Sequence, residues 1–172
     1  MGPRRPLAFD PIEEARRQWR AHGWEDAADG MAVVTSIVRV DQILQARIDA
    51  VLRGFDLTFA RYELLVLLDF SRRGALPMGK LGDRLQVHPA SVTNAVDRLE
   101  AAGLVTRRPH PDDGRGTLAD LTAAGRRLVR RATAAVNDQV FTDLGLDDDE
   151  QERLFALLLR VRRAAGDFEE PA

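Results

Sequence analysis

Between Pro77 and Gly125 a short helical pattern, a turn, a second helical pattern and a charged hairpin follow one another, and few folds accept that order. The first pattern, Met78-Gly-Lys-Leu-Gly-Asp-Arg-Leu85, puts Leu81 and Leu85 on one face, and Gln86-Val87-His88 then turns the chain. Pro89 opens the second helix where its missing N–H is no loss. In that helix Val92, Val96, Leu99 and Gly103 fall within a narrow arc, with Ala95 beside them, so this arc faces the core. The opposite arc carries small and hydrogen-bonding residues, Ala90, Thr93, Asn94, Asp97 and Arg98, and no large apolar side chain. A DNA major groove about 12 Å wide admits one helix, whose side chains read base edges as Asn to adenine, Arg to guanine, or a methyl against thymine. His88, Ala90, Ser91, Thr93, Asn94 and Arg98 are the candidate contacts on and beside this helix.

Leu104-Val-Thr-Arg-Arg108 leans to β structure, Pro109 to Gly116 is dense in turn formers, and Thr117-Leu-Ala-Asp-Leu121 leans to β again. The expected result is a two-stranded hairpin with Arg115 at its tip, where an Arg can enter the minor groove beside the site the helix reads. The fold class expected is mostly α (α+β), a winged helix-turn-helix with flanking dimerisation helices.

Leu85-Gln-Val-His-Pro-Ala-Ser-Val-Thr-Asn-Ala-Val-Asp-Arg-Leu-Glu-Ala-Ala-Gly-Leu-Val105 and Asp113-Gly-Arg-Gly-Thr-Leu-Ala-Asp-Leu-Thr-Ala-Ala-Gly125 together resemble the multiple antibiotic resistance regulator (MarR) family of transcription factors. The resemblance covers most of residues 30 to 165. It implies a sequence-specific regulator, a repressor rather than an activator, acting as a homodimer on double-stranded DNA. Two positions depart from the pattern. Asp120 stands on a wing strand where a basic or neutral residue is more usual, and His88 stands where Ser or Thr makes a better helix cap.

A net charge of −2 looks wrong for a DNA binder until it is divided along the chain. Residues 72–131 hold twelve Arg or Lys against six Asp or Glu, whereas residues 132–172 hold four against ten. The positive charge coincides with the reading helix and wing. Absence of Cys removes disulfides, thiolate zinc sites and thiol redox chemistry. No apolar run reaches the roughly 18 residues of a membrane span and no signal peptide opens the chain, so the expected location is the cytoplasm and no membrane partner is expected. The three His are scattered and no activated-Ser pattern occurs, which argues against an enzyme. His110 with Asp112 and Asp113 reads as a turn rather than a metal site. No cofactor is expected.

Outside this module the chain reads as helix: Thr35 to Leu52, Thr58 to Phe70, a long helix capped by Thr122 and running to about Asp143, and a last one capped by Asp147 or Asp148. The apolar stripes of the terminal helices need a surface to cover, and the resemblance implies that a second subunit supplies it. The expected division is an N-terminal extension over 1–30 with one short helix begun by Asp10 and Pro11, a dimerisation region over 31–57 and 123–168, and a DNA-binding lobe over 58–122. Met1 to Pro6 is expected to be disordered. The resemblance also implies a pocket between dimer region and DNA-binding lobe for a small aromatic or anionic effector. Trp19, His22 and Trp24 of the extension and Phe55, Phe59, Arg61 and Tyr62 of the neighbouring helix are the candidates to line it. The alternative is a winged-helix dimer that binds a small molecule or protein and has lost DNA binding, which Asp97, Asp120 and the low Lys content would favour.

Overall fold

The computed structural model describes residues 7–111 and 113–169, the side chains of residues 113–115 excepted; Met1 to Pro6 lie outside the described residues. Most helix starts are fixed locally by a side-chain oxygen that accepts an otherwise unpaired backbone N–H, worth about 1 kcal/mol each. Asp10 does so for α1 (Pro11–Ala21), accepting from Ile12 at 2.8 Å. Thr58 caps α3 (Phe59–Phe70) and Thr122 caps α6 (Ala123–Val136). Asp147 and Glu150 cap α7 (Asp148–Ala164) reciprocally, each side chain holding the other's N–H.

Helix α2 (Glu25–Leu52) begins ten residues before the expected Thr35. The small residues between Asp26 and Ala32 carry little pattern of their own. The contact that holds this turn is non-local, since Arg16 and Arg20 of α1 both donate to Asp29, at 2.8 Å each. At 28 residues α2 runs about 42 Å. A 3-10 turn (Arg53–Phe55) links it to α3.

After α3 come β1 (Ala75–Pro77), α4 (Met78–Leu85), α5 (Pro89–Ala101), β2 (Val105–His110) and β3 (Asp113–Leu121). The three strands form an antiparallel sheet in the order β1-β3-β2, with Leu76 and Arg107 flanking Ala119 from opposite sides. The hairpin is longer and its tip tighter than expected, because Pro109 and His110 belong to β2 and residues 113–116 to β3. Pro109 is tolerated because β2 is an edge strand and the register slips between Pro109 and His110. Helix α6 ends at Val136, short of the expected Asp143, and continues as a π-helical stretch (Asn137–Phe141). Arg47 of α2 donates to the Gln139 carbonyl there at 2.9 Å.

One core joins these elements. Leu52, Leu64, Leu65, Leu68, Leu81, Val92, Val96, Leu99, Val105, Val129 and Val136 are all fully buried, and each such side chain contributes roughly 1.5–3 kcal/mol. The long outer helices behave differently. Val33, Val34, Ile37 and Val38 of α2 and Leu154, Phe155, Leu157 and Val161 of α7 stand exposed, Val34 and Phe155 at 61% and 62%. Among the described residues no helix is long and apolar enough to cross a membrane.

Candidate nucleic-acid interface

Helices α4 and α5 meet through Leu81, Val92 and Val96, and the turn between them is sharp because Gln86 adopts the left-handed conformation (φ 53°), its N–H donating to the Gly82 carbonyl. Gly82 lies against the Val87 carbonyl and the Val92 side chain, so the two helices approach closely. His88 takes the capping place and fills it: its Nδ1 accepts the Ala90 N–H at 3.2 Å. Ser or Thr would be the more usual cap at this position, and here a ring nitrogen serves as the acceptor that their oxygen provides.

The predicted reading face is the exposed face. His88, Ala90, Ser91, Thr93, Asn94 and Arg98 all stand in solvent, while Val92, Val96 and Leu99 face inward. Thr93 spends its hydroxyl on the Pro89 carbonyl at 3.1 Å, which leaves mainly its methyl to meet a partner. The side chains of Asn94 and Arg98 make no hydrogen bond or ion pair with any described residue. Their polar heads are thus available to an external partner. The Arg115 side chain lies outside the described residues, while its backbone belongs to β3.

Both acidic residues that spoke against DNA are ion-paired with wing arginines. Arg107 of β2 reaches across to α5, where its guanidinium meets Asp97 Oδ1 and Glu100 Oε2, each at 2.6 Å, and donates to the Thr93 carbonyl at 3.3 Å. The Arg107 backbone N–H adds a bond to Glu100 Oε1 at 3.0 Å. Partial burial works against the Arg107 charge, but the hydrogen bonds and attraction of Asp97 and Glu100 outweigh it and raise its pKa above the ordinary arginine value. On the same hairpin Arg108 Nε donates to Asp120 at 2.6 Å. The sequence reading missed Arg107. The available signal was Asp97 and Glu100 three residues apart on one helix, opposite a hairpin that offers an Arg.

A cleft of about 700 Å³ separates the start of α4 from the wing, with Lys80, Asp83, Thr93, Asp97 and Arg107 among its lining. The two groups of candidate effector residues lie elsewhere, and one chain does not bring them together. Trp19, His22 and Trp24 cluster at the α1–α2 corner, with Trp19 and Trp24 edge to face at 5.3 Å and His22 stacked on Trp24 at 5.8 Å. Phe55, Phe59, Arg61 and Tyr62 sit past the other end of α2, where Arg131 lies over the Phe55 ring, Arg61 bonds Thr58, and Tyr62 donates to Thr133.

The fold of a helix pair followed by a hairpin has counterparts among known proteins. A family model described as MarR family matches residues 57–117. The chain is 51% identical to Sco5413, a MarR family transcriptional regulator from Streptomyces coelicolor, with a TM-score of 0.75 over 83% of this chain and 99% of that one. The chain belongs to the MarR family. A second MarR-family regulator from the same organism, Sco3205, solved in complex with DNA, is 30% identical with a TM-score of 0.71 over 80% of this chain and 88% of its own. The HTH-type transcriptional repressor Rv2887 of Mycobacterium tuberculosis is 32% identical over 109 residues, 63% of this chain and 77% of its own length. In this MarR-family chain the matched segment begins just before α3 and ends inside β3, so it contains the reading helix and most of the wing.

Proposed function

We propose that this MarR-family chain is a cytoplasmic, sequence-specific DNA-binding repressor that acts as a homodimer on a near-palindromic operator. The observation that carries the reading is the state of α5: Asn94 and Arg98 are exposed and uncommitted, while Asp97, Glu100 and Asp120 are paired with wing arginines. This also weighs against the alternative of a winged dimer without DNA binding, since each of the acids that favoured it is ion-paired with a wing arginine. Asn94 and Arg98 read base edges, Ala90 and the Thr93 methyl meet thymine, and His88, Ser91 and Arg115 position the backbone or groove. The exposed stripes of α2 and α7 form the subunit interface, because single-chain burial leaves them uncovered. The Sco3205 complex with DNA and the repressor name of Rv2887 support the reading by likeness.

A small aromatic or anionic effector regulates binding in this proposal. It acts only through a difference in affinity between the DNA-competent and incompetent spacings of the two reading helices. Since one chain separates Trp19, His22 and Trp24 from Phe55, Phe59, Arg61 and Tyr62, a site using both groups needs the extension of the second subunit.

Fluorescence anisotropy with a generic labelled duplex tests the core of the proposal. Affinity that falls steeply with added salt supports phosphate contacts, each lowering the slope by about 0.9. No binding at low salt would favour the ligand- or protein-binding alternative.

A further inference from the structure

The first turn of α6 is where the wing, the sheet edge and the long helices meet. Thr122 donates its hydroxyl to the Gly103 and Leu104 carbonyls at 2.9 and 3.0 Å, which holds the entry of the hairpin. A side chain at Gly125 would run into the Leu104 carbonyl oxygen, so the helix backbone is seated directly on that entry. On the other side, the exit strand is tied to the α3–β1 turn, as the Leu121 N–H donates to the Gly74 carbonyl at 2.8 Å. Gly74 is left-handed (φ +67°), and a Cβ there would stand 2.6 Å from the Arg126 guanidinium. Arg126 therefore occupies the place a side chain at 74 would need. One carboxylate holds it there: Asp69, at the end of α3, accepts from Arg126 and, at 3.4 Å, from Arg130 one turn further along α6. The Asp69 side chain is only 14% exposed, and among the described residues it is the sole ion-pair partner of both arginines.

We propose that Asp69 is a positioning residue for DNA reading, a latch that fixes the first turn of α6 on the wing base and thereby sets the wing relative to the reading helix. The inference rests on the DNA-reading function proposed above. Asp69 touches no residue of the reading face; it acts through Arg126, whose guanidinium covers the Gly74 turn to which β3 is bonded. The far end of α6 runs into the π-helical stretch held by Arg47 of α2, so the same helix joins the wing base to the long helices with the uncovered apolar stripes. A shift of those helices is carried along α6 to this latch.

Asp69→Asn in the full-length protein tests this, because it removes the charge and keeps the shape. Charge alone predicts tighter DNA binding, since a negative group is lost; the latch predicts the opposite sign on specific sites. Binding to a duplex selected from a random library should weaken about tenfold, binding to a generic duplex should hold or improve, and Asp69→Glu should recover part of the discrimination. Equal or tighter binding of Asp69→Asn to the selected duplex, or equal losses on both duplexes with a matching fall in melting temperature, would overturn the latch. Amide hydrogen exchange over residues 104–121 gives a readout that needs no DNA: faster exchange in Asp69→Asn, with α5 unchanged, supports the latch, and unchanged exchange refutes it. Failure of the unaltered protein to bind any duplex would count against DNA reading itself, while the exchange result would still decide whether Asp69 holds the wing.

Discussion

Replacing Arg107 by Gln removes the brace between wing and reading helix without opening a large void. The Arg107 side chain is 26% exposed and its partners Asp97 and Glu100 are 56% and 39% exposed, so water screens both pairs. Such pairs are worth about 0.2–1 kcal/mol each. With the hydrogen bond to the Thr93 carbonyl, the fold should lose ~1–2 kcal/mol, which lowers the melting temperature of a chain this size by roughly 2–8 °C. The effect on DNA should be of similar size. Asp97 and Glu100 are left uncompensated on the helix proposed to read the groove, and the wing loses its tether. Affinity for a selected duplex should fall about tenfold. Adding Asp97→Asn to the same chain should restore part of that affinity, because half of the new repulsion disappears. Anisotropy titrations of the two single variants and the double variant close the cycle. If Arg107→Gln binds as the unaltered protein does, or if Asp97→Asn deepens the loss, the bracing argument is wrong.

Asn94→Ala and Arg98→Ala should each cost about 1–3 kcal/mol on the preferred sequence and relax choice at one base position; unchanged discrimination among operator variants would remove that residue from the base-reading set. Gly125→Ala must push α6 off the Leu104 carbonyl, a forced overpacking that should cost about 3 kcal/mol and ~6–12 °C in melting temperature. A melting curve within about 2 °C of the unaltered protein would show that the seat is looser than described. Glu63 is half-buried on α3, and burial raises its pKa above the ordinary carboxylate value. Its charged form is therefore disfavoured in the folded state, and stability falls as pH rises from the unfolded through the folded value. Glu63→Gln should stabilise the fold at neutral pH, with the gain vanishing below about pH 4; a gain that persisted in acid would point to packing instead of charge.

What the sequence disclosed followed the range of the forces involved. The caps at Asp10 and Thr122, the start of the last helix at Asp147 or Asp148, the α4–α5 pair and the inward arc of Val92, Val96 and Leu99 are local matters of periodicity and capping, and they were legible. Strand β1 was not, because three residues carry no period and exist as a strand only through the free edge of β3. The early start of α2 depends on Arg16 and Arg20 reaching Asp29 from another helix. Asp120 and Asp97 looked hostile to DNA as isolated letters, and their pairing with Arg108 and Arg107 is a cross-strand and helix-to-strand contact, hinted at only by the spacing of Asp97 and Glu100 opposite an Arg-bearing hairpin. The seven aromatic and polar residues grouped for an effector were close in chemical character, but a helix of about 42 Å separates the two sets.

The central claim is that two copies of this chain read DNA with a pair of α5 helices related by a two-fold axis. Selection of bound duplexes from a random-sequence library, with purified protein at near-physiological salt, tests it most directly. Enrichment of a near-palindrome whose half-sites lie about 10 bp apart, centre to centre, is the expected result. Enrichment of a single asymmetric half-site, or of no sequence at all, would contradict it.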